Sequence, residues 1–251
     1  NHQSNRYENF RNFDLREDKI GIKGLIGTQL EKNGRIFVEL RHEFQRYYQT
    51  SDSIIPTFNR ITTAKIATIF DSQDKSVFAT EGRLIDISLE SSILHDDNYV
   101  GFSKASFYFH TNFNFGALTL TPTITFGVAD ITLPFPEFFN IGGEGSFYGL
   151  REEEERGRQL VKGSMNYQYK LPYRLFFDTY IYGRYDIGAI WLNPNEIKIS
   201  NLRHGVGSGL AFDTPLGPAK FSIGKSFYFV QNPNSVIFGP TELYFAIGIT
   251  L

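Results

Sequence analysis

From Leu118 to Val128 the side chains alternate: Leu118, Leu120, Ile124, Phe126 and Val128 fall on one face of an extended chain, and Thr119, Thr121, Thr123 and Thr125 on the other. Val161, Met165, Tyr167, Tyr169 and Leu171 alternate in the same way with Lys162, Ser164, Asn166, Gln168 and Lys170. So do Leu243, Phe245, Ile247, Ile249 and Leu251 with Tyr244, Ala246, Gly248 and Thr250. A period of two cannot keep one helix face apolar; it demands strands with one apolar and one polar side. Eleven strands are predicted, over 20–31, 35–49, 58–70, 77–94, 99–115, 118–130, 159–171, 175–191, 203–213, 218–230 and 242–251. Many exceed the mean globular strand of about 5–6 residues and cover the ~9–11 that a tilted strand needs to cross a bilayer.

The connections sort by parity. Lys32-Asn33-Gly34, Asp71 to Ser76, Gly116-Ala117, Pro172-Tyr173-Arg174 and Thr214-Pro215-Leu216-Gly217 are tight, whereas 50–57, 131–158, 192–202 and 231–241 are long. His95 to Asn98 is the short exception on the long side. Brief periplasmic turns alternating with longer outer loops characterise a transmembrane β-barrel; a soluble β-sandwich has no reason to sort its loops this way. The expected fold is therefore all-β, a transmembrane antiparallel β-barrel spanning 20–251 with one long inward-folded loop at 131–158. Eleven is odd, and single-chain bacterial barrels have even strand numbers. Residues 1–19, polar and rich in Asn and Arg, are read as an extracellular loop remnant or an irregular segment, with a further strand before Asn1 or hidden within them.

Composition agrees and removes alternatives. The 251 residues carry 25 basic and 27 acidic side chains, which leaves no electrostatic footprint for nucleic acid. There is no Cys, which excludes disulfide scaffolds and Cys-based metal sites. No run approaches the ~18–20 apolar residues of a membrane helix, and the mean hydropathy is −0.25. Yet Phe (25) and Tyr (14) abound, the enrichment expected where alternate side chains face lipid.

The longest connection contains Phe138-Phe139-Asn140-Ile141-Gly142-Gly143-Glu144-Gly145-Ser146-Phe147-Tyr148-Gly149-Leu150. Its glycines permit sharp reversals, and six large apolar groups interleave with them, which exposed loops seldom carry. An ordered loop folded into the lumen is expected. This segment resembles the long loop between the eleventh and twelfth strands of the bacterial surface antigen superfamily, outer-membrane barrels of the barrel-assembly and two-partner-secretion type. That loop has a phenylalanine, a Gly-Gly pair and a valine-arginine-glycine-aromatic tip; Phe138, Gly142, Gly143, Phe147, Tyr148 and Gly149 are the matching positions. Other landmarks are similar and in order: Asp71 and Asp74 followed by Thr80-Glu81-Gly82, then Tyr185-Asp186-Ile187-Gly188, then Phe212-Asp213-Thr214-Pro215-Leu216-Gly217-Pro218. The resemblance covers about 58–251 and implies the last eleven strands of a sixteen-stranded barrel.

In that family the tip arginine pairs with a glutamate and an aspartate on the strands after the loop. Here Tyr148 stands at the arginine position and Asn166 at the glutamate, while Asp186 remains. The resemblance implies that the loop docks on Asn166 and Asp186, with Tyr148 and Asn166 meeting near Asp186 through neutral hydrogen bonds. The absent tip arginine, with the acidic run Arg151 to Arg158, is closest to the barrels fused to patatin-like phospholipases, in which a lipid hydrolase domain precedes the barrel.

No catalytic residues are expected in the chain. A hydrolase nucleophile elbow needs Gly-x-Ser-x-Gly, and neither Gly145-Ser146 nor Gly205-Val206-Gly207-Ser208-Gly209 has that spacing. His2, His42, His95, His110 and His204 show no ligand spacing, so neither metal nor cofactor is expected. Glu152 to Glu155 reads as a solvated loop flank, and Glu39, Arg41, Glu43, Lys162, Arg184 and Asp186 as lumenal charges. The resemblance implies residence in the bacterial outer membrane and a role in anchoring, inserting or translocating polypeptide. The implied partners are outer-membrane lipid and a polypeptide client or the protein's own upstream domain. A passive porin-like channel is the alternative.

Overall fold

A computed structural model describes residues 2–10, 13–49, 57–94, 100–173, 176–198, 202–231 and 234–248. The strands are β1 (His2–Phe10), β2 (Phe13–Leu30), β3 (Gly34–Gln49), β4 (Thr57–Asp71), β5 (Gly82–Ser92), β6 (Ser103–Phe115), β7 (Leu118–Ala129), β8 (Phe139–Ile141), β9 (Glu155–Gly157), β10 (Gln159–Lys170), β11 (Asp178–Trp191), β12 (Arg203–Thr214), β13 (Gly217–Gln231) and β14 (Asn234–Ile247). Twelve of them form one antiparallel sheet in chain order, and β8 pairs with β9 as a small hairpin inside the long loop.

Register places like with like. Val38, Ile66, Leu89, Ala105 and Val128 lie opposite one another across β3 to β7, and Val38, Ile66, Leu89 and Val128 are exposed. The same face carries exposed Phe126, Ile181, Leu210, Phe221, Phe245 and Ile247. The opposite face holds Glu39, Arg41, Glu90, Lys104, Thr123, Arg184 and Asp186. An apolar side turned outward and a charged side covered by the chain's own loop make a barrel wall, lipid on one side and lumen on the other.

Three boundaries differ from the sequence reading. Residues 2–10 and 13–19 are not a loop remnant: β1 and the start of β2 pair as antiparallel neighbours, from His2↔Ile20 to Phe10↔Phe13. Residues 234–241 are ladder, not loop, because β13 and β14 pair from Gln231↔Asn234 onward; 232 and 233 lie outside the described residues. The Gly239-Pro240 pair that suggests a loop instead forms a bulge between Lys225↔Thr241 and Phe227↔Phe238, where a proline without an N–H is tolerated. Finally, β5 begins at Gly82, and 72–81 is a folded turn. Among the described residues no ladder joins β14 to β1; residues 249–251, at the end of the predicted last strand, and 95–98 lie outside those described.

Candidate functional site

The connection from β7 to β10 lies on the polar face and is fixed there at two places about ten residues apart in sequence. Its apolar groups supply the packing between them. Ile141, Phe147, Leu150 and Leu160 form one buried cluster with Phe139 and Ile190 against it. Leu133 packs with Ile61, Phe102 and Ala129, and Phe138 and Phe139 lie against that second cluster. Arg158 caps the Phe138 ring at 4.7 Å.

The front anchor is Glu137, at the end of a single 3-10 turn, Phe135–Glu137, that follows Pro134. Arg41 grips it bidentately, Nη1 to Oε1 and Nη2 to Oε2 both at 2.9 Å. Gln45 Nε2 and Lys104 Nζ each donate to it at 2.7 Å, and Lys19 Nζ donates to the Pro136 carbonyl at 2.9 Å. Glu90 shares Arg41 at 2.7 Å and accepts the Thr63 hydroxyl at 2.7 Å. Three cations (Lys19, Arg41, Lys104) thus face three carboxylates (Glu43, Glu90, Glu137), the completeness that buried charge requires. Burial alone would raise the Glu137 carboxyl; Lys104, Arg41 and Lys19 outweigh it and hold the group well below the usual carboxylate range.

The rear anchor is the loop tip. Tyr148 and Asp186 are both 0 % exposed. The Tyr148 backbone N–H donates to Asp186 Oδ2 at 2.9 Å, and Ser164 Oγ donates to Asp186 Oδ1 at 2.6 Å. Gly149 N–H donates to the Tyr244 hydroxyl, which donates to the Leu150 carbonyl, both at 2.8 Å. Ser226 Oγ closes the ring onto Gly149 O at 2.9 Å. The Tyr148 ring lies in a bed of glycines: a Cβ on Gly207 or Gly224 would stand 2.5 Å from its Cδ1. Gly149 adopts φ +76°, and a Cβ there would overlap the Ser226 amide nitrogen.

The expected neutral replacement of the tip arginine needs correcting. The cation has not been lost; it has moved from the loop to the wall. Arg184, two residues before Asp186 on β11, donates Nε to Asp186 Oδ2 at 3.0 Å and lays its guanidinium over the Tyr148 ring at 4.3 Å. Tyr148 reaches Asp186 through its backbone amide, and Asn166 does not join them: its Nδ2 donates to the Thr121 carbonyl at 3.2 Å.

Of the other loop positions, Gly143 N–H donates to Leu150 O at 3.1 Å, which brings the two ends of the tip together beside Gly142. The acidic run divides among separate tasks. Glu153 pairs with Arg156, Glu154 accepts the Arg151 amide at 2.7 Å, and Glu155 meets Arg203 at 2.6 Å. Among the turn positions, Asp71 Oδ1 accepts Gln73 N–H at 3.0 Å, and Thr214 Oγ1 accepts Leu216 N–H at 3.3 Å beside Pro215 and Gly217. Asp74 and Gly82 shape the turn before β5.

The residues that sequence reasoning missed are Glu137, Gln45, Lys104, Tyr244 and the glycine bed. A signal existed for the bed: glycines at 205, 207 and 209 recur with period two, which clears one face of a strand.

The family described as the Omp85 superfamily domain matches residues 1–251. No curated relative matches in sequence. Among solved structures, BamA from Haemophilus ducreyi lacking POTRA domains 1-3 superposes with a TM-score of 0.77 at 12% identity, over 97% of this chain and 57% of that one. The likeness shows the fold, and the chain spans a little over half the length of that neighbour. With a sheet apolar outside and charged inside, and a family match over its whole length, this chain belongs to the Omp85 superfamily of bacterial outer-membrane β-barrels.

Proposed function

We propose that this chain is a plugged barrel domain that anchors, inserts or translocates polypeptide at the outer membrane, with the loop 131–158 as the plug. The observation that carries this reading is the double anchoring: buried Glu137 and buried Tyr148 are each held by several strands, so the loop occupies the lumen as a fixed part of the wall's packing. A loop bonded to strands on both sides of the lumen narrows any path through it. The chemistry implied is noncovalent, and no catalytic role falls to the chain.

Bilayer conductance of the full-length protein tests it. A small, flickering conductance that rises on deleting 138–150 is expected; a large steady open state in the intact protein would favour the porin-like alternative and overturn the plug.

The cargo reading extends to a hydrolase domain carried by the same protein. It is supported by the arginine-free tip, in which Tyr148 is served by Arg184 from the wall. The full-length gene product is then expected to carry a Gly-x-Ser-x-Gly elbow upstream of residue 1 and phospholipase activity that dies with its serine. An upstream region made only of small repeated modules would count against it.

A further inference from the structure

At the short-connection end of the wall, the periplasmic end of an outer-membrane barrel, one turn does not stay in line with its strands. Residues 72–81 join β4 to β5. The base is pinned by Ser72 N–H to Arg83 O at 2.9 Å and Asp74 N–H to Glu81 O at 3.3 Å. The Asp74 carboxylate then accepts the Thr80 amide at 2.8 Å, the Thr80 hydroxyl at 2.9 Å and the Glu81 amide at 3.1 Å. Slight burial raises this carboxyl, and the Glu81 and Thr80 amides outweigh it, leaving it below the usual carboxylate range.

Held in that shape, the turn presents Phe78 at φ +52°, a left-handed backbone that a bulky side chain rarely adopts. Its ring stacks flat on Tyr180, centroids 4.2 Å apart and planes 11° apart. Tyr180 is 3 % exposed and lies near the start of β11. Between β5 and β11 the sheet order runs β5-β6-β7-β10-β11, four strand spacings, or about 19 Å along the wall. A turn continuing its own hairpin could not make that contact; this one leaves the wall and crosses the mouth of the lumen. Val77, Phe78 and Ala79 also line a cavity of about 400 Å³ that Tyr148 and Arg184 of the rear anchor line as well. The chamber is thus bounded by the loop tip and by this turn.

We propose that residues 72–81 are a lid over the periplasmic mouth of the lumen, latched by Phe78 on Tyr180 and separate from the loop plug. The left-handed Phe78 is held by what surrounds it, so loss of the stack releases the lid. A strained latch suits a closure that must open to cargo entering from the periplasm.

Bilayer conductance of the full-length protein, in the native form and as Phe78→Ala, a 138–150 deletion and the two combined, tests the lid. With the loop deleted, Phe78→Ala is expected to raise conductance roughly two-fold or more, because an aromatic constriction at the mouth has been removed. Tyr180→Ala, which breaks the stack from the other side, must produce the same gain. These 251 residues hold no cysteine, so in a full-length protein whose other cysteines, where present, are replaced by serine, Phe78→Cys with Tyr180→Cys gives a unique thiol pair. Bridging it with a short cleavable dithiol reagent is expected to lower the conductance of the loop-deleted form, and cleavage to restore it. If the deletion alone opens the channel and neither aromatic substitution adds to it, the lid is overturned while the plug stands. Failure of the thiols to bridge in the folded protein, verified by heat-modifiable gel mobility, overturns it as well.

Discussion

The two anchors of the long loop hold neighbouring segments of chain by different physics. Glu137 is held by charge: three cations and a glutamine converge on one carboxylate, and the arrangement tolerates side-chain adjustment because Lys and Arg have long, movable stems. Tyr148 is held by shape: a rigid ring on a glycine bed, with its neighbouring amides bonded to Asp186 and Tyr244. The first is weakened when its carboxylates lose their charge, the second when the bed is filled or its acceptor is removed. The two ends of the loop can therefore be loosened by different substitutions.

Asp186→Asn should have the largest effect. It weakens the acceptor for the Tyr148 amide and leaves the Arg184 guanidinium buried beside a neutral group, a loss of about 3–5 kcal/mol. Limited proteolysis should then cut within 144–151 and spare the segment near Glu137; unchanged resistance would break the distinction between the anchors. Gly207→Val comes next, at about 1–3 kcal/mol, because its side chain needs the space of the Tyr148 ring. Gly207→Ala should fall between it and the native protein on the same proteolysis scale.

Acid should weaken the front anchor. The folded Glu137 carboxyl lies below its unfolded value of about 4.5, so its contribution is complete above that pH. It is lost progressively as pH falls from there through the lower folded value. Between pH 7 and pH 5 the front anchor should not change; towards pH 3 cleavage near 135–139 should rise. Unchanged resistance near 135–139 at pH 3 would contradict a front anchor held by charge. The smallest effect belongs to Asn166→Ala, which loses one bond to the Thr121 carbonyl, about 1 kcal/mol, and should leave the tip protected.

How much of this was legible in the sequence follows from the range of each interaction. Alternation is local, so the strands from 35 to 230 and their polar and apolar sides could be read directly. Local punctuation misled where register prevailed over it: Gly239-Pro240 reads as loop, yet sits in a bulge because the β13–β14 ladder continues on both sides. The turn 72–81 could not be read as a lid, because its meaning lies in a stack on Tyr180 about a hundred positions away. Resemblance directed attention to Tyr148, Asn166 and Asp186 and suggested that a lost arginine meant a lost cation. Arg184 was visible as a charge on the same strand face as Asp186, but only coordinates show it filling that place. Glu137, preceded by Pro134 and Pro136 and far from its partners on β2, β3 and β6, left no pattern at all.

Amide hydrogen exchange of the full-length protein in lipid nanodiscs, followed at Tyr148 and Gly149, bears most directly on the docked loop. Both amides are donors, to Asp186 and to Tyr244, and the account predicts exchange slowed to the level of the β10 and β11 strand amides, with Asp186→Asn restoring fast exchange. Exchange of these two amides at the rate of a free peptide in the native protein would contradict it.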